Sequence, residues 1–270
     1  AACEAVQVCR ATTPGPVPDT VRSHYGLEPF YTKHIDAVGV PVLSSGEVDD
    51  RALQEACAII AMMLSKRPDI AELLFHNKVR VGIIGRNQVT TDMPEYRTLP
   101  NDFPGIDYDS QRFRGLGATL ARPLSSVGEE NLLGFPRGDL PDGDPFAGES
   151  IMVHEFAHTV LEVGLFFAPD NPKNGPSTEI TNNGRMLMDE IVMLHGRPEA
   201  QNIWVDTFAI TTWNEYWAEG VQTWFETNLT AEPPNGIHGP IDTRAELRMM
   251  DPDLAMLISC FFIERDFDEL

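Results

Sequence analysis

His154-Glu155-Phe156-Ala157-His158 constrains this chain more than any other short segment. Residues four apart share one face of an α-helix, so two imidazoles at that spacing can converge on one point only if the segment is helical. The surrounding residues ask for the same thing. Ile151, Met152, Val153, Phe156, Ala157, Val160, Leu161 and Val163 recur at helical spacing around the two His. Ser150 is the expected N-cap and Gly164 the expected stop, which predicts a helix over 150–163 after a Pro/Gly/Asp-rich loop over 138–148. Two imidazoles with a Glu beside the first are the H-E-x-x-H arrangement. In that arrangement the imidazoles are expected to hold Zn2+, and the Glu to take a proton from a water that the metal acidifies.

Such a site needs a third protein ligand and an open position. A third His six residues beyond His158 would supply one, but Gly164 stands there. Glu179 is near a workable distance yet sits in a Pro/Gly/Asn-rich stretch over 171–184. The segment 213–225 offers more. Trp213, Trp217, Trp224 and Phe225 give a helix with a heavy apolar face, and Glu215 and Glu219 share a face four residues apart. Two carboxylates on an aromatic helix are costly to bury unless a cation or its ligands offset the charge. Glu215 is the expected third ligand. Glu219 is the expected acceptor for the outer nitrogen of a ligating His. Glu162, one turn after His158, reads as a solvated carboxylate at the helix end, or else as a support for that His.

The pair His154-Glu155-Phe156-Ala157-His158 and Glu215-Tyr216-Trp217-Ala218-Glu219 resembles the gluzincin metallopeptidases, in particular the group of anthrax lethal factor and the clostridial Pro-Pro endopeptidases. The resemblance covers two short motifs and the stretch between them. It implies His154, His158 and Glu215 as zinc ligands, Glu155 as general base and Glu219 as the supporting carboxylate. It also implies a peptide or protein substrate. One position departs. The relatives carry an oxyanion-stabilising Tyr seven residues before the ligand Glu, where this chain has Phe208. Either another donor, such as Tyr216, His195 or Arg185, takes its place, or the catalytic details differ.

Composition narrows the setting. A net charge of −21, from 41 acidic and 20 basic residues, argues against nucleic acid and anionic membrane surfaces as partners, since both need a basic face. No stretch approaches the ~18 apolar residues of a membrane span. The four cysteines, Cys3, Cys9, Cys57 and Cys260, match no zinc knuckle. Their even number and their placement predict two disulfides, with three pairings open, in an oxidising compartment. With no Met and no apolar leader at its start, and with the sequon Asn228-Leu229-Thr230, the chain reads as a mature secreted protein.

Strands are predicted over 35–43 and 78–84, a possible edge strand over 115–123, and helices over 49–65, 68–75, 185–195 and 241–263, the last broken at Pro252. The inner face of 49–65 is Ala52, Leu53, Ala56, Ile59, Ile60 and Met63. Asp92 and Glu95 read as turn residues, and His24, His34, His76 and His238 as structural or surface residues. The expected fold is α+β and zincin-like. A mixed twisted sheet packs on the active-site helix in an N-terminal lobe (1–164), and a mainly helical C-terminal lobe (165–270) completes one catalytic unit. The expected activity is that of a secreted zinc metallopeptidase. Its alternatives are a zinc hydrolase cutting a non-peptide amide or glycan-linked bond, and a non-catalytic secreted metal-binding protein.

Overall fold

Short apolar runs that cannot make helices collect into one five-stranded mixed sheet. The computed structural model describes residues 2–265. Its strands are β1 (Lys33–Ala37), β2 (Val40–Ser44), β3 (Arg80–Ile84), β4 (Gly115–Leu116) and β5 (Leu124–Gly128), in the spatial order β1-β2-β3-β5-β4. β2, β3 and β5 run parallel, while β1 and β4 close the two edges antiparallel. The three parallel strands are buried throughout, as strands covered on both faces must be. Together with the helices on these faces, this is an α+β architecture.

Two strand expectations change, and β5 is a strand that was not expected. The predicted strand over 35–43 is a hairpin. Val38 and Gly39 take φ of 48° and 95°, the two positive values of a two-residue turn, so the apolar alternation runs through both arms. The predicted edge strand over 115–123 pairs only at Gly115–Leu116, because Thr119 and Arg122 then close a turn through their backbones. β5 has no apolar alternation to announce it. Its polar middle is accommodated in part: the Tyr96 hydroxyl donates to the Leu124 carbonyl at 2.8 Å and lies 3.1 Å from Ser126 Oγ, while Ser125 Oγ is buried without a partner among the described residues.

On one face, the helix Asp50–Leu64 packs on β1 and β2, and the helix Ile151–Thr159 packs on β5 and β4. Asp49 caps the first of these by accepting from the Arg51 N–H at 2.8 Å. On the other face, Leu43, Ile84 and Leu124 are buried under Tyr31, Met93 and Tyr96. The main apolar core runs from Val6 to Phe262 through the sheet, the His-bearing helix and the C-terminal helices. The helix expected over 241–263 is two, Arg244–Met250 and Pro252–Ser259, because Pro252 starts a new helix that Asp251 caps.

One disulfide forms where two were expected. Cys9 and Cys57, with Cα atoms 5.5 Å apart, pin the N-terminal helix Ala2–Ala11 to Asp50–Leu64. Cys3 and Cys260 are free thiols. Cys260 is exposed at the end of its helix with Sγ 3.5 Å from the Met256 carbonyl, and Cys3 Sγ faces Arg265 instead. Among the described residues, no helix is long and apolar enough to cross a membrane.

Candidate metal centre

The helix Ile151–Thr159 begins as its sequence requires. Ser150 accepts from the Val153 N–H at 3.3 Å, and Met152, Val153, Phe156 and Ala157 are fully buried. Where a stop at Gly164 was expected, the helix continues through a π-helical turn, Val160–Leu165. The helix Trp213–Trp224 crosses it, started by Thr212, whose hydroxyl accepts from the Glu215 N–H at 3.3 Å. Tyr216, Trp217 and Trp224 are buried, and the Trp217 indole N–H donates to the Ala157 carbonyl at 3.1 Å. That bond locks the second helix against the first between its two His residues.

The crossing brings three side chains to one point. His154 Nε2 lies 3.0 Å and His158 Nε2 3.3 Å from Glu215 Oε2, and the two Nε2 atoms are 3.2 Å apart. His154, His158 and Glu215 are a group able to hold a metal ion. These separations match the edge of a tetrahedron around zinc, ~3.3 Å for bonds of ~2.0–2.1 Å. Two imidazole nitrogens and one carboxylate oxygen also form a donor set that suits zinc.

The charges point the same way. Burial works against a cation at His154, but hydrogen bonds to Glu215 and Glu219 raise its pKa well above the ordinary value. Burial would raise Glu215, yet the bonds from His154 and His158 hold it well below the usual carboxylate range. Without a metal, His154 therefore favours its protonated form and Glu215 its ionised one. Glu155 is half-buried beside them. Burial raises its pKa, opposed by the charges of His154 and His158 and by a hydrogen bond from the Gly117 backbone.

The outer nitrogens differ. His154 Nδ1 lies 2.8 Å from Gln222 Oε1 and 3.4 Å from Glu219 Oε1. The Gln222 amide is oriented by donating to the Ser150 carbonyl at 3.2 Å, so its oxygen must face the imidazole and Nδ1 must carry the hydrogen. Glu219 is thus close to its expected place, but Gln222 is the nearer acceptor. The sequence reading missed it, although Glu215, Glu219 and Gln222 form one stripe at i, i+4 and i+7. His158 Nδ1 is buried without a partner among the described residues.

A cleft of about 530 Å³ opens over this point, between β4 and the two crossing helices. β4 approaches closely because it carries glycines. A Cβ on Gly115 would meet Ile151 Cγ2 at 2.6 Å, and one on Gly117 would meet His158 Cβ at 2.7 Å. Phe146, Phe208 and Ile237 add apolar surface to its lining. Glu149 lines the cleft too, its carboxyl pushed up to about 7 by burial and then by the Glu219 charge.

Several expectations are corrected here. Phe208 stacks on His154, ring centroids 6.3 Å apart, and is 38% exposed. None of the three expected substitutes for the missing hydroxyl lines the cleft. Tyr216 is buried and donates to Asp251 Oδ2 at 2.6 Å, His195 Nε2 donates to the Ile210 carbonyl at 3.1 Å, and Arg185 lies in the first turn of Asn182–His195. Glu179 is exposed in its loop, away from the cleft. Glu162 is a half-buried wall of the cleft, not a solvated helix end; burial raises its pKa, against the pull of His158 and of a hydrogen bond from Asn214. Asp92 does cap a turn, accepting from the Val89 N–H at 2.9 Å, whereas Glu95 is an ion-pair partner of Arg80 at 2.7 Å. His238 Nε2 lies 3.8 Å from Glu149 Oε1.

No protein-family description matches the chain, and no curated protein matches it in sequence. Among solved structures, a Pro-Pro endopeptidase from Paenibacillus alvei aligns with a TM-score of 0.45 at 17% identity, over 84% of this chain and 100% of that one.

Proposed function

We propose that this chain is a secreted zinc-dependent metallopeptidase, with its cleft between an N-terminal lobe (1–164) and a mainly helical C-terminal lobe (165–270). The observation that carries the reading is the convergence of His154 Nε2, His158 Nε2 and Glu215 Oε2 within 3.0–3.3 Å of one another. His154, His158 and Glu215 hold the metal. Glu219 and Gln222 fix the ring of His154 so that Nε2 faces inward. When bound, zinc supplies Lewis acidity that acidifies water and polarises a carbonyl.

Glu155 takes the proton from the attacking water and returns it to the leaving amine. The free edge of β4 offers main-chain groups to an extended peptide, which would add as one more strand. Phe146, Phe208 and Ile237 favour an apolar substrate side chain in the cleft. The Cys9–Cys57 disulfide supports an oxidising, extracellular setting.

Phe208 favours keeping a second reading. A cleft without a hydroxyl at that position fits a zinc hydrolase acting on a non-peptide amide or glycan-linked bond, or a chain that holds zinc without turnover. A peptide-library digest with and without chelator separates the peptidase reading from the other two. The peptidase reading expects chelator-sensitive cleavage. Glu155→Gln should keep its zinc and lose ~10²–10⁴-fold in turnover. Zinc at one equivalent with no cleavage of any peptide would remove the peptidase reading.

A further inference from the structure

Asn228 heads the chain's N-x-S/T sequon, yet its amide nitrogen is already engaged inside the molecule. Asn228 Nδ2 donates to Glu219 Oε2 at 2.8 Å, with Thr223 Oγ1 at 3.4 Å as a second contact. Its own oxygen accepts from the Leu229 N–H at 2.8 Å, which orients the amide so that the nitrogen points at Glu219. Glu219 is 4% exposed, and its other oxygen is the one 3.4 Å from His154 Nδ1. The chain of contacts thus runs Asn228, Glu219, His154.

From this geometry, and resting on the zinc-site reading above, we infer that Asn228 is a positioning residue of the metal centre and not a glycan acceptor. The argument is one of donors and acceptors. Glu219 has two oxygens in a buried position. A donor on Oε2 occupies that side and leaves Oε1 facing the imidazole N–H. Gln222 accepts from the same N–H, so His154 sits in a bracket of two acceptors, each held from behind: Gln222 by the Ser150 carbonyl, Glu219 by Asn228. A glycan would be attached to the same Asn228 nitrogen, and its bulk would have to enter this half-buried corner.

The test reads zinc affinity, by competition with a chromophoric chelator, in wild type, Asn228→Ala, Asn228→Asp, Glu219→Gln, the double variant Glu219→Gln/Asn228→Asp, and Thr230→Ala. Asn228→Asp sets carboxylate against carboxylate and should weaken zinc binding ~10–100-fold, the range for lost partners of metal-binding His. Asn228→Ala removes the donor without adding repulsion and should lose less. The double variant restores the pattern reversed: the amide introduced at position 219 donates to the carboxylate introduced at position 228, while the amide oxygen faces His154. It should bind about tenfold more tightly than Asn228→Asp alone. Thr230→Ala deletes the sequon, keeps the Asn228 amide, and should bind as wild type does.

Equal affinities across the Asn228 variants, or no recovery in the double variant, would overturn the inference while leaving the zinc site standing. Thermal melts of each metal-free variant accompany the series. An affinity loss that merely follows a loss of folded protein would also overturn it. A wild-type chain that binds no zinc would remove the zinc-site reading itself, and this inference with it.

Discussion

Arg114 and Glu130 are buried at least as deeply as His154 and His158, and Arg114 lines the same cleft, but the two groups meet the cost of burial in opposite ways. The Arg114–Glu130 pair is 2% and 0% exposed at its side chains. The guanidinium donates twice to Glu130, at 2.7 and 2.8 Å, Nη1 donates to the Gln88 carbonyl, and Nη2 is shared between the carbonyls of Ile84 and Gly85. Charge and hydrogen bonds close locally, and the result staples β4 to the end of β3. The His154–His158–Glu215 group closes only in part, with both Nε2 atoms sharing the one oxygen Glu215 Oε2. Two Nε2 atoms face each other at 3.2 Å, and His158 Nδ1 has no partner among the described residues. A buried polar group that balances itself holds a fold together. One that stays unbalanced leaves room for a cation.

The comparison breaks first at the pair. Glu130→Ala strands a buried guanidinium and should destabilise the metal-free chain by ~3–5 kcal/mol in denaturant melts. The molecules that still fold should bind zinc at the wild-type equivalent. A loss of zinc from folded Glu130→Ala would mean that the two groups are not separate devices.

A smaller effect comes from Glu149. Its folded carboxyl titrates at about 7 against an ordinary 4.5, so between those values the folded chain binds a proton that the unfolded chain does not. Stability from this group is therefore full below pH 4.5 and falls as pH rises through 7. Glu149→Gln removes that fall. Between pH 5 and pH 8 the metal-free variant should lose up to about 3 kcal/mol less than wild type. Identical pH profiles would show that Glu149 is not forced to neutralise inside the cleft.

The smallest effect concerns protons at the centre itself. His154 holds its proton to well above pH 6.5 in the metal-free chain, and zinc must displace it. Zinc affinity should rise about tenfold per pH unit for each displaced proton. The rise should continue above pH 6.5, where an ordinary His would let it level off. A plateau beginning at pH 6.5 would contradict the tight His154–Glu215 coupling.

What the amino-acid order made legible was local. Ser150, the apolar recurrence from Ile151 onward and the i, i+4 spacing of His154 and His158 describe one helix, and local spacing needs no knowledge of the partner. The aromatic face of Trp213–Trp224 marked the second helix, and the grouping of Glu215 with the two His followed from the charge problem its carboxylates pose. Long-range pairing was hidden. The Leu124–Gly128 strand looks like a loop because its support, strand pairing and the Tyr96 hydroxyl beside Ser126, comes from elsewhere in the chain. Cys3 and Cys260 could be counted but not located. The hairpin at Val38–Gly39 hid inside an unbroken alternation, since β-branched Val38 gives no warning of a positive φ. Gln222 was within reach of the same stripe argument that found Glu219. Glu149 and Asn228 were not, since loops bring them to the centre.

The most direct measurement is diffraction from crystals equilibrated with zinc, recorded on both sides of the zinc absorption edge. The account predicts one anomalous peak bounded by His154 Nε2, His158 Nε2 and Glu215 Oε2. An empty map at that point, with zinc elsewhere on the chain or nowhere, would contradict it.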